Sequence, residues 1–484
     1  MTAPSAKVRV EHDSLGEMQV PADAFYGIQT LRAVENFPIT GVRIGTFPHL
    51  IRALALIKKA AALANVELGM LPESLGEAIA SSCDELLAGR YHEQFVVDAI
   101  QGGAGTSTNM NANEVIANIA LERMGHQKGA YRFCHPNDHV NLSQSTNDVY
   151  PTAMRITLYT QLADLQDAMA ELKAAFEAKE REFADVIKLG RTQLQDAVPM
   201  TLGQEMSTYA VMIGEDIQRL EEVKTLLREM NLGATAIGTG INTPPGYAAL
   251  VRRRLNELAK LELVTSLNLI EATQDAGVFV QLSGVLKRFA VKLSKICNDL
   301  RLLSSGPRAG LNEINLPPVQ PGSSIMPGKV NPVIPEVVNQ ICYQVIGNDV
   351  TVTLAAEAGQ LQLNAMEPVI LFALYRNIDM MTRGCRTLRQ RCIEGITANV
   401  ELCRAHVESS IGLATGLCTL IGYEQAAEVA QEALRTGRTI GAVALEKGFV
   451  TAAQLEDFLR PERMLGSVFP ARGEGDRRGP VPGA

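Results

Sequence analysis

The feature of this sequence that most constrains the fold is a long segment, residues 152–189, that contains neither glycine nor proline. Apolar residues recur in it at alternating steps of four and three positions, which is the spacing of one face of a helix in a bundle. They are Leu158, Leu162, Leu165, Met169, Leu172, Phe176 and Phe183. A continuous helix of roughly 30 residues would be about 45 Å long. The segment therefore predicts one long helix of an extended bundle.

Four further segments have the same helical pattern. They are residues 203–230, 272–303, 335–358 and 367–395. Aromatic residues make up only 5% of the chain and tryptophan is absent. Five long helices with few aromatic residues predict a mainly α fold with a long central helical bundle, rather than a globular α/β domain. Because an isolated bundle of this length exposes much apolar surface, we expect its helices to pack with those of other subunits.

Shorter helical patterns flank the bundle on both sides. They cover residues 50–68, 73–87 and 113–124 before it, and 400–411, 423–435, 439–447 and 451–459 after it. We predict an N-terminal domain of residues 1–147, the long-helix bundle of residues 148–400 and a small α-helical C-terminal domain of residues 401–484. From about residue 470 the chain is charged and rich in glycine and proline, which is typical of a disordered tail.

Charge and cysteine usage exclude several classes of function. The net charge of −8 argues against a surface for nucleic acid or anionic membrane. No uncharged apolar run approaches the length of a membrane span, and the N-terminus lacks the apolar stretch of a signal peptide. The eight cysteines are scattered without a CxxC pair. We therefore expect a soluble cytoplasmic protein with reduced, mostly buried thiols.

Residues 306–335 form the most unusual stretch, with seven prolines and four glycines between helical segments. A structureless stretch of this length is usually functional or disordered, and its many apolar residues argue against disorder. Its centre, residues 322–332, reads GSSIMPGKVNP. The hydroxyls of Ser323 and Ser324, the charge of Lys329 and the amide of Asn331 are suited to holding a carboxylate. Any two of these features alone would equally fit a surface turn.

Three other segments carry polar side chains that could bind an anion. The glycine-rich segment 101–111 precedes a helix, so it is either a capping loop or an anion site made by the helix N-terminus. Ser145, Thr146 and Asn147 offer two hydroxyls and an amide, which converge only in a loop or at a helix entry. Residues 189–199, with Thr192 and Gln193, fit an ordinary connection between two helices.

Histidines near the second of these segments could suggest a metal site. They are His126, His135 and His139. Pro136 breaks the helical pairing of the last two, and no cluster of carboxylates completes a ligand set. We therefore predict no metal site.

Taken together, these motifs resemble the aspartase/fumarase superfamily, whose members eliminate across a C–N or C–O bond to release fumarate. The resemblance covers nearly the whole chain to about Leu465, through at least five motifs in the expected order. The loop 322–332 resembles the superfamily's signature loop, and its continuation VIPEVVNQ, residues 333–340, is similar to that of aspartate ammonia-lyases. Fumarases usually have a histidine where this chain has Gln193, whereas some aspartases have glutamine.

The resemblance implies reversible deamination of L-aspartate to fumarate and ammonia through an aci-carboxylate intermediate, without a cofactor. It implies Ser323 as the general base, with His135 or His139 as fallback candidates. The donors to the reacting carboxylate would be Thr106, Ser145, Thr146 and Ser324. The second carboxylate would be held by Thr192, Lys329 and Asn331, with Asn147 and Gln193 near the amino group.

The resemblance also implies a homotetramer in which three chains build each active site. Two rival functions stay open at this point. The nearer is fumarate hydratase of the class II type, which has the same fold and adds water instead of ammonia. The other is a non-catalytic protein that retains only the fold, which the intact set of polar residues argues against.

Overall fold

The computed structural model describes residues 7–459, so the predicted tail from about residue 470 lies outside the described residues. By its internal contacts the chain forms two compact units. The first contains the chain up to Ala170, Glu215–Ser294 and Val338–Cys385, and the second contains Glu171–Gly214, Lys295–Val337 and the chain from Arg386 onwards. The division into three consecutive domains stays a prediction.

The strands are short and pair two by two. Antiparallel pairs are β1 (Val8–Asp13) with β2 (Gly16–Pro21), β3 (Ile187–Thr192) with β4 (Gln195–Thr201), and β7 (Ile314–Asn315) with β8 (Thr397–Ala398). The parallel pair is β5 (Glu229–Met230) with β6 (Val264–Thr265). No larger sheet forms among the described residues, which agrees with a mainly α fold.

Helices make up most of the described chain. The long ones are α5 (Thr146–Glu182), α6 (Leu202–Leu226), α9 (Gly277–Leu303), α10 (Val333–Glu357) and α11 (Glu367–Arg391). Before them come α1 (Ile28–Asn36), α2 (Pro48–Glu67), α3 (Glu73–Leu87) and α4 (Thr106–Arg123), and between them α7 (Tyr247–Ala259) and α8 (Leu269–Ala272). The C-terminal helices are α12 (Val400–Ser409), α13 (Leu413–Ile421), α14 (Tyr423–Thr436), α15 (Ile440–Glu446) and α16 (Ala452–Phe458). The five predicted long helices are therefore confirmed.

In the first unit, polar contacts between long helices add to an apolar core. The side-chain amide of Gln161 in α5 donates to the carbonyl of Tyr375 in α11, and Asn348 in α10 donates to Asn377 in α11. Helix α2 packs against α3 and α7 and is buried along most of its length. No helix of the described chain combines the length and apolar character that crossing a membrane requires.

In the second unit, the C-terminal helices enclose a core of their own. Its members are Ile187 and Leu189 of β3 together with Val407, Leu413, Leu417, Val429, Val443 and Phe458. Alternate residues of β3 thus point into an apolar cluster, and Lys188 between them is buried on the other face of the strand. This packing holds the β3–β4 hairpin against α12.

The structure corrects two local expectations from the sequence. Residues 189–199 do lie between two helices, but they form most of the β3–β4 hairpin instead of an ordinary loop, and α5 ends at Glu182, before the predicted residue 189. Helix α4 begins at Thr106, seven residues before the predicted start, because the side chain of Gln101 accepts hydrogen bonds from the N–H and hydroxyl groups of Thr108. A side chain from outside the helix therefore accepts a backbone N–H of the first turn that has no partner within the helix.

Candidate functional site

In the first unit, the glycine-rich segment and the Ser145–Thr146–Asn147 trio lie at the starts of two helices. Thr106 is the first residue of α4 and is exposed, and its hydroxyl donates to the carbonyl of Gly103 at 2.7 Å. Thr146 is the first residue of α5, and the Oγ of Ser145 accepts the N–H of Asn147 at 3.2 Å. The trio is half-buried at a helix entry, which is the geometry that lets three consecutive side chains converge.

Asn109 joins the two helix starts. Its side-chain amide donates to the Oγ1 of Thr146 and to the Oδ1 of Asn141, both at 3.1 Å. The sequence analysis missed this residue. Its position three residues after Thr106 on α4 places both on one helix face, and this spacing was the available signal.

Asp148 holds the trio in place through hydrogen bonds to the backbone. It is fully buried, and one carboxylate oxygen accepts the N–H of Ser145 at 3.0 Å. The other accepts the N–H groups of Gly233 and Thr235 at 3.0 and 2.9 Å, which ties the trio to a second glycine-rich loop, residues 232–242. Burial raises the pKa of Asp148 to about 6, against the opposing effect of these hydrogen bonds.

Helix α5 contains Pro151 close to its start. Because proline lacks an N–H group, the carbonyl four residues earlier loses its helical partner. That carbonyl belongs to Asn147, and the side-chain amide of Asn231 donates to it at 3.0 Å. The amide of Asn147 itself donates to the carbonyl of Ala236 at 2.7 Å. The backbone and side chain of Asn147 are therefore both held by the loop that follows β5.

Lys58 is a fully buried basic residue next to Asn141, the partner of Asn109. Its Nζ donates to the Oδ1 of Asn141 at 2.8 Å and to the Oε1 of Gln144 at 2.9 Å. Burial lowers the pKa of Lys58 to about 7. A chain of hydrogen bonds thus runs from the ammonium through Asn141 and Asn109 to the hydroxyl of Thr146.

The two histidines that were fallback bases stabilise a local turn. The Nδ1 of His135 accepts the N–H groups of Asn137 and Asp138, each at 3.2 Å, at the start of a five-residue π-helical turn. The Nδ1 of His139 accepts the N–H of His135 at 2.8 Å. One ring nitrogen of each is therefore committed to the backbone. Residues 7–459 contain no group of three or more His, Cys, Asp or Glu residues placed to hold a metal ion.

In the second unit, Thr192 and Gln193 lie at the tip of the β3–β4 hairpin. Thr192 pairs with Gln195, so Gln193 and Leu194 form a two-residue turn, with φ angles of 54° and 62°. Such turns favour Asn-Gly, because residues other than Gly, Asn and Asp are strained at positive φ angles. The tip is exposed, and it presents Gln193 and Leu194 in a backbone conformation that is costly to maintain.

The loop that contains the predicted base is closed by its own backbone. The N–H of Gly322 donates to the carbonyl of Lys329 at 2.8 Å, and the side-chain amide of Asn331 donates to the carbonyl of Gly322. In this conformation the amide of Asn331 therefore closes the loop. Ser324 and Lys329 are exposed on it.

Ser323 lies inside this closed loop. Its Oγ accepts two backbone N–H groups, that of Met326 at 3.0 Å and that of Ile325 at 3.2 Å. Two donors aimed at one hydroxyl oxygen favour its deprotonated form, because an alkoxide accepts hydrogen bonds more strongly than a hydroxyl. The loop backbone thus directs two N–H groups at the Oγ of Ser323.

The ten predicted site residues fall into two sets. The first unit holds Thr106, Ser145, Thr146 and Asn147; the last three lie in one hydrogen-bonded cluster, and Thr106 lies on the helix face of Asn109, which donates to Thr146. The second unit holds Thr192 and Gln193 on the hairpin and Ser323, Ser324, Lys329 and Asn331 on the closed loop. The sequence analysis missed the residues that hold the first set in place, namely Asn109, Asn141 and Asp148.

Known families and solved structures are similar to this chain over most of its length. The model of the family described as "Lyase" matches residues 16–347, and that described as "Fumarase C C-terminus" matches residues 413–466. A crystal structure named fumarate lyase:delta crystallin from Brucella melitensis, bound to cobalt, is 59% identical with a TM-score of 0.93, covering 96% of this chain and all of that one. A class II fumarase from Schistosoma mansoni is 34% identical with a TM-score of 0.88, covering 95% and 99%.

Relatives named aspartate ammonia-lyase are closer in sequence than this fumarase. The protein of Helicobacter pylori (strain ATCC 700392 / 26695) is 60% identical over 95% of this chain and 98% of its own length. That of Escherichia coli (strain K12) is 54% identical over 97% and 98%. The chain therefore belongs to the lyase family of the aspartase/fumarase superfamily.

Proposed function

We propose that this protein is an aspartate ammonia-lyase, which reversibly converts L-aspartate to fumarate and ammonia. Its relatives at 54–60% identity over nearly the whole chain have this name. The observation that carries the proposal is the pair of backbone N–H groups directed at the Oγ of Ser323. The reaction needs a base, and this arrangement gives a serine the means to act as one.

The first chemical step removes a proton from the carbon next to one carboxylate of aspartate. We assign Ser323 as the base, because the N–H groups of Ile325 and Met326 stabilise its alkoxide and the loop backbone holds them in place. Lys329 on the same loop adds a positive charge. When the C–N bond then breaks, the electron pair of the former C–H bond becomes the double bond of fumarate, and the amine leaves as ammonia.

The intermediate is an aci-carboxylate, in which the reacting carboxylate carries a second negative charge. Donors that bind this species more strongly than the substrate accelerate the step, and one such donor typically contributes about 3 kcal/mol. We assign this role to Thr106, Ser145, Thr146 and Ser324. Thr192, Lys329 and Asn331 would hold the other carboxylate, with Asn147 and Gln193 near the amino group.

We also propose a homotetramer with active sites shared between three subunits. Helix α10 supports self-association, because it exposes Tyr343, Val350 and Leu354 by 56, 59 and 63%. Their spacing of seven and four residues places them on one helix face, and apolar faces of this kind mark protein interfaces. Sedimentation should show a tetramer, and Leu354→Glu should dissociate it with loss of activity; a fully active monomer would refute the shared site.

No cofactor is needed for this scheme, since each step is a proton transfer or a bond cleavage that the protein's own groups can assist. We place the protein in the cytoplasm. Seven of the eight cysteines are buried, as expected for thiols of a protein from a reducing compartment.

The replacement Ser323→Ala tests the proposed base. Wild-type protein should release fumarate and ammonia from L-aspartate in equal amounts, and the variant should lose this turnover while keeping its circular dichroism spectrum and tetrameric state. Ser409→Ala is the matched control, because Ser409 is an exposed helical serine whose hydroxyl donates to the carbonyl of His406. Turnover by Ser323→Ala near the wild-type rate would exclude Ser323 as the base.

A further inference from the structure

Glu313 is a buried acidic residue at the root of the loop that contains Ser323. It immediately precedes strand β7, and no part of its side chain is exposed. A carboxylate is costly to bury unless cations and hydrogen bonds compensate for the lost water. The groups around it therefore indicate what it holds in place.

Three basic side chains of the second unit surround this carboxylate. One oxygen accepts the Nη1 of Arg191 at 2.7 Å and lies 3.3 Å from the Nδ1 of His406. The other oxygen lies 3.5 Å from the Nζ of Lys188. Two of the three, Lys188 and Arg191, belong to β3, and the third belongs to α12. The carboxylate is thus the common partner of the hairpin and a C-terminal helix.

The backbone of Glu313 is itself fixed on both sides. Its N–H donates to the carbonyl of Leu303 at the end of α9 at 2.8 Å, and its carbonyl accepts the N–H of Asn399 at 2.9 Å. The thiol of Cys403 donates to the same carbonyl at 3.5 Å. The carboxylate therefore projects from a backbone anchored at three points, which gives Arg191 a rigid partner.

Arg191 is the residue directly before Thr192. The pairing of β3 with β4 is irregular between Leu189 and Arg191, and such a bulge re-aims the side chains next to it. Beyond it, the tip residues Gln193 and Leu194 have strained backbone angles. A tip of this kind needs an anchor close by, and the ion pair of Arg191 with Glu313 is one.

We propose that Glu313 is a positioning residue for the elimination. Through Arg191 it fixes the hairpin tip, and through its own backbone it fixes the root of the Ser323 loop. It thereby sets Thr192 and Gln193, which we assign to the second carboxylate and the amino group of aspartate. This inference rests on the proposed function, since it concerns the binding of that substrate. Substrate-holding groups must lie within about 0.5 Å of their productive positions.

The test is a double-mutant cycle on the pair. We expect Glu313→Gln and Arg191→Gln each to raise the KM for L-aspartate about tenfold with kcat within about threefold, the signature of lost uniform binding. The double variant should be no worse than either single variant, because both remove the same ion pair. Arg191→Lys should restore part of the affinity. A purely structural role would lower the melting temperature and the active fraction without this KM pattern.

Arg389→Gln is the matched control. Arg389 is also a partly buried arginine of the second unit, and its ion pairs are with Glu171 at 3.2 Å and Glu394 at 3.6 Å, which both lie outside the hairpin. We expect its KM to equal that of the wild type. If Glu313→Gln does not fold, Arg191→Gln decides alone, because its side chain is 15% exposed and its loss leaves Lys188 and His406 beside the carboxylate. An unchanged KM in folded variants, or additive effects, would overturn the proposal; absence of turnover in the wild type would refute the proposed function instead.

Discussion

Gly322 lies where the two ends of the closed loop meet, beside Lys329 and Asn331, a place that we call the neck of the loop. Its replacement by alanine should reduce activity with little change in stability. A Cβ added at this position would lie 2.3 Å from the carbonyl oxygen of Lys329 and 2.8 Å from the backbone nitrogen of Asn331. Both are backbone atoms, which cannot move away as the end of a flexible side chain can. The neck of the loop must therefore open in Gly322→Ala.

The size of the effect follows from the contacts that close the neck. Opening it breaks the hydrogen bond from Gly322 to Lys329 and that from Asn331 to Gly322, each of which stabilises the closed loop by about 1 kcal/mol. Ser323 is the next residue, and a displacement of about 1 Å in a reacting group typically reduces the rate about 100-fold. We therefore expect kcat for L-aspartate to fall about 100-fold. The melting temperature should change little, because residues 324–330 are exposed.

The control is Gly328→Ala in the same loop. Gly328 has a φ of 82°, but no atom lies within 4 Å of the position of an added Cβ. Alanine there has only the cost of left-handed backbone, about 1 kcal/mol, and kcat should fall less than tenfold. The assay is the initial rate of fumarate formation, measured beside thermal unfolding of each variant. Gly322→Ala with kcat within threefold of the wild type would show that the neck does not position Ser323.

Two further predictions concern the first unit. Asn109→Ala should reduce kcat about tenfold or more, because it removes the amide that links Thr146 to Asn141. The control Asn256→Ala breaks two hydrogen bonds to Leu263 and should not change kcat. Equal kcat values for the two variants would exclude Asn109 from the donor cluster. Burial raises the pKa of Glu367 from 4.5 to about 8, so the folded state binds more protons and the free energy of unfolding should decrease as pH rises between these values. Glu367→Gln should flatten this decrease in pH-dependent thermal unfolding, and parallel curves for the two proteins would contradict the assignment.

Helices were predictable where the sequence has a regular apolar period. The five long helices follow from apolar residues that recur every three to four positions, and the segment of α5 after Pro151 has neither glycine nor proline. Helix α3 has the predicted bounds, Glu73–Leu87. In these segments local propensity and burial favour the same structure, so the sequence alone is sufficient.

Elements that depend on distant contacts were not predictable in this way. The tip of the β3–β4 hairpin, Gln193-Leu194, lacks the glycine or asparagine that normally indicates such a turn, and the hairpin is held instead by α12 and by Glu313. The early start of α4 depends on Gln101, whose side chain reaches forward to Thr108 in the first turn.

The site shows the same division. Motif resemblance identified the residues assigned to the substrate, but not Asn109, Asp148 or Glu313, which hold those residues in place. Their partners are distant in sequence: Asp148 binds the loop at Gly233 and Thr235. The sequence contains no signal for a pair such as Asp148 with Gly233, because the contact exists only once the chain has folded.

The most direct test of the proposed function is a comparison of two substrates. Purified protein is incubated separately with L-aspartate and with L-malate, and fumarate is measured in both and ammonia in the first. We predict fumarate and ammonia in equal amounts from L-aspartate, and no comparable fumarate from L-malate. Fumarate from L-malate alone would contradict the account, because it would identify a fumarate hydratase and show that Gln193 does not distinguish the two activities.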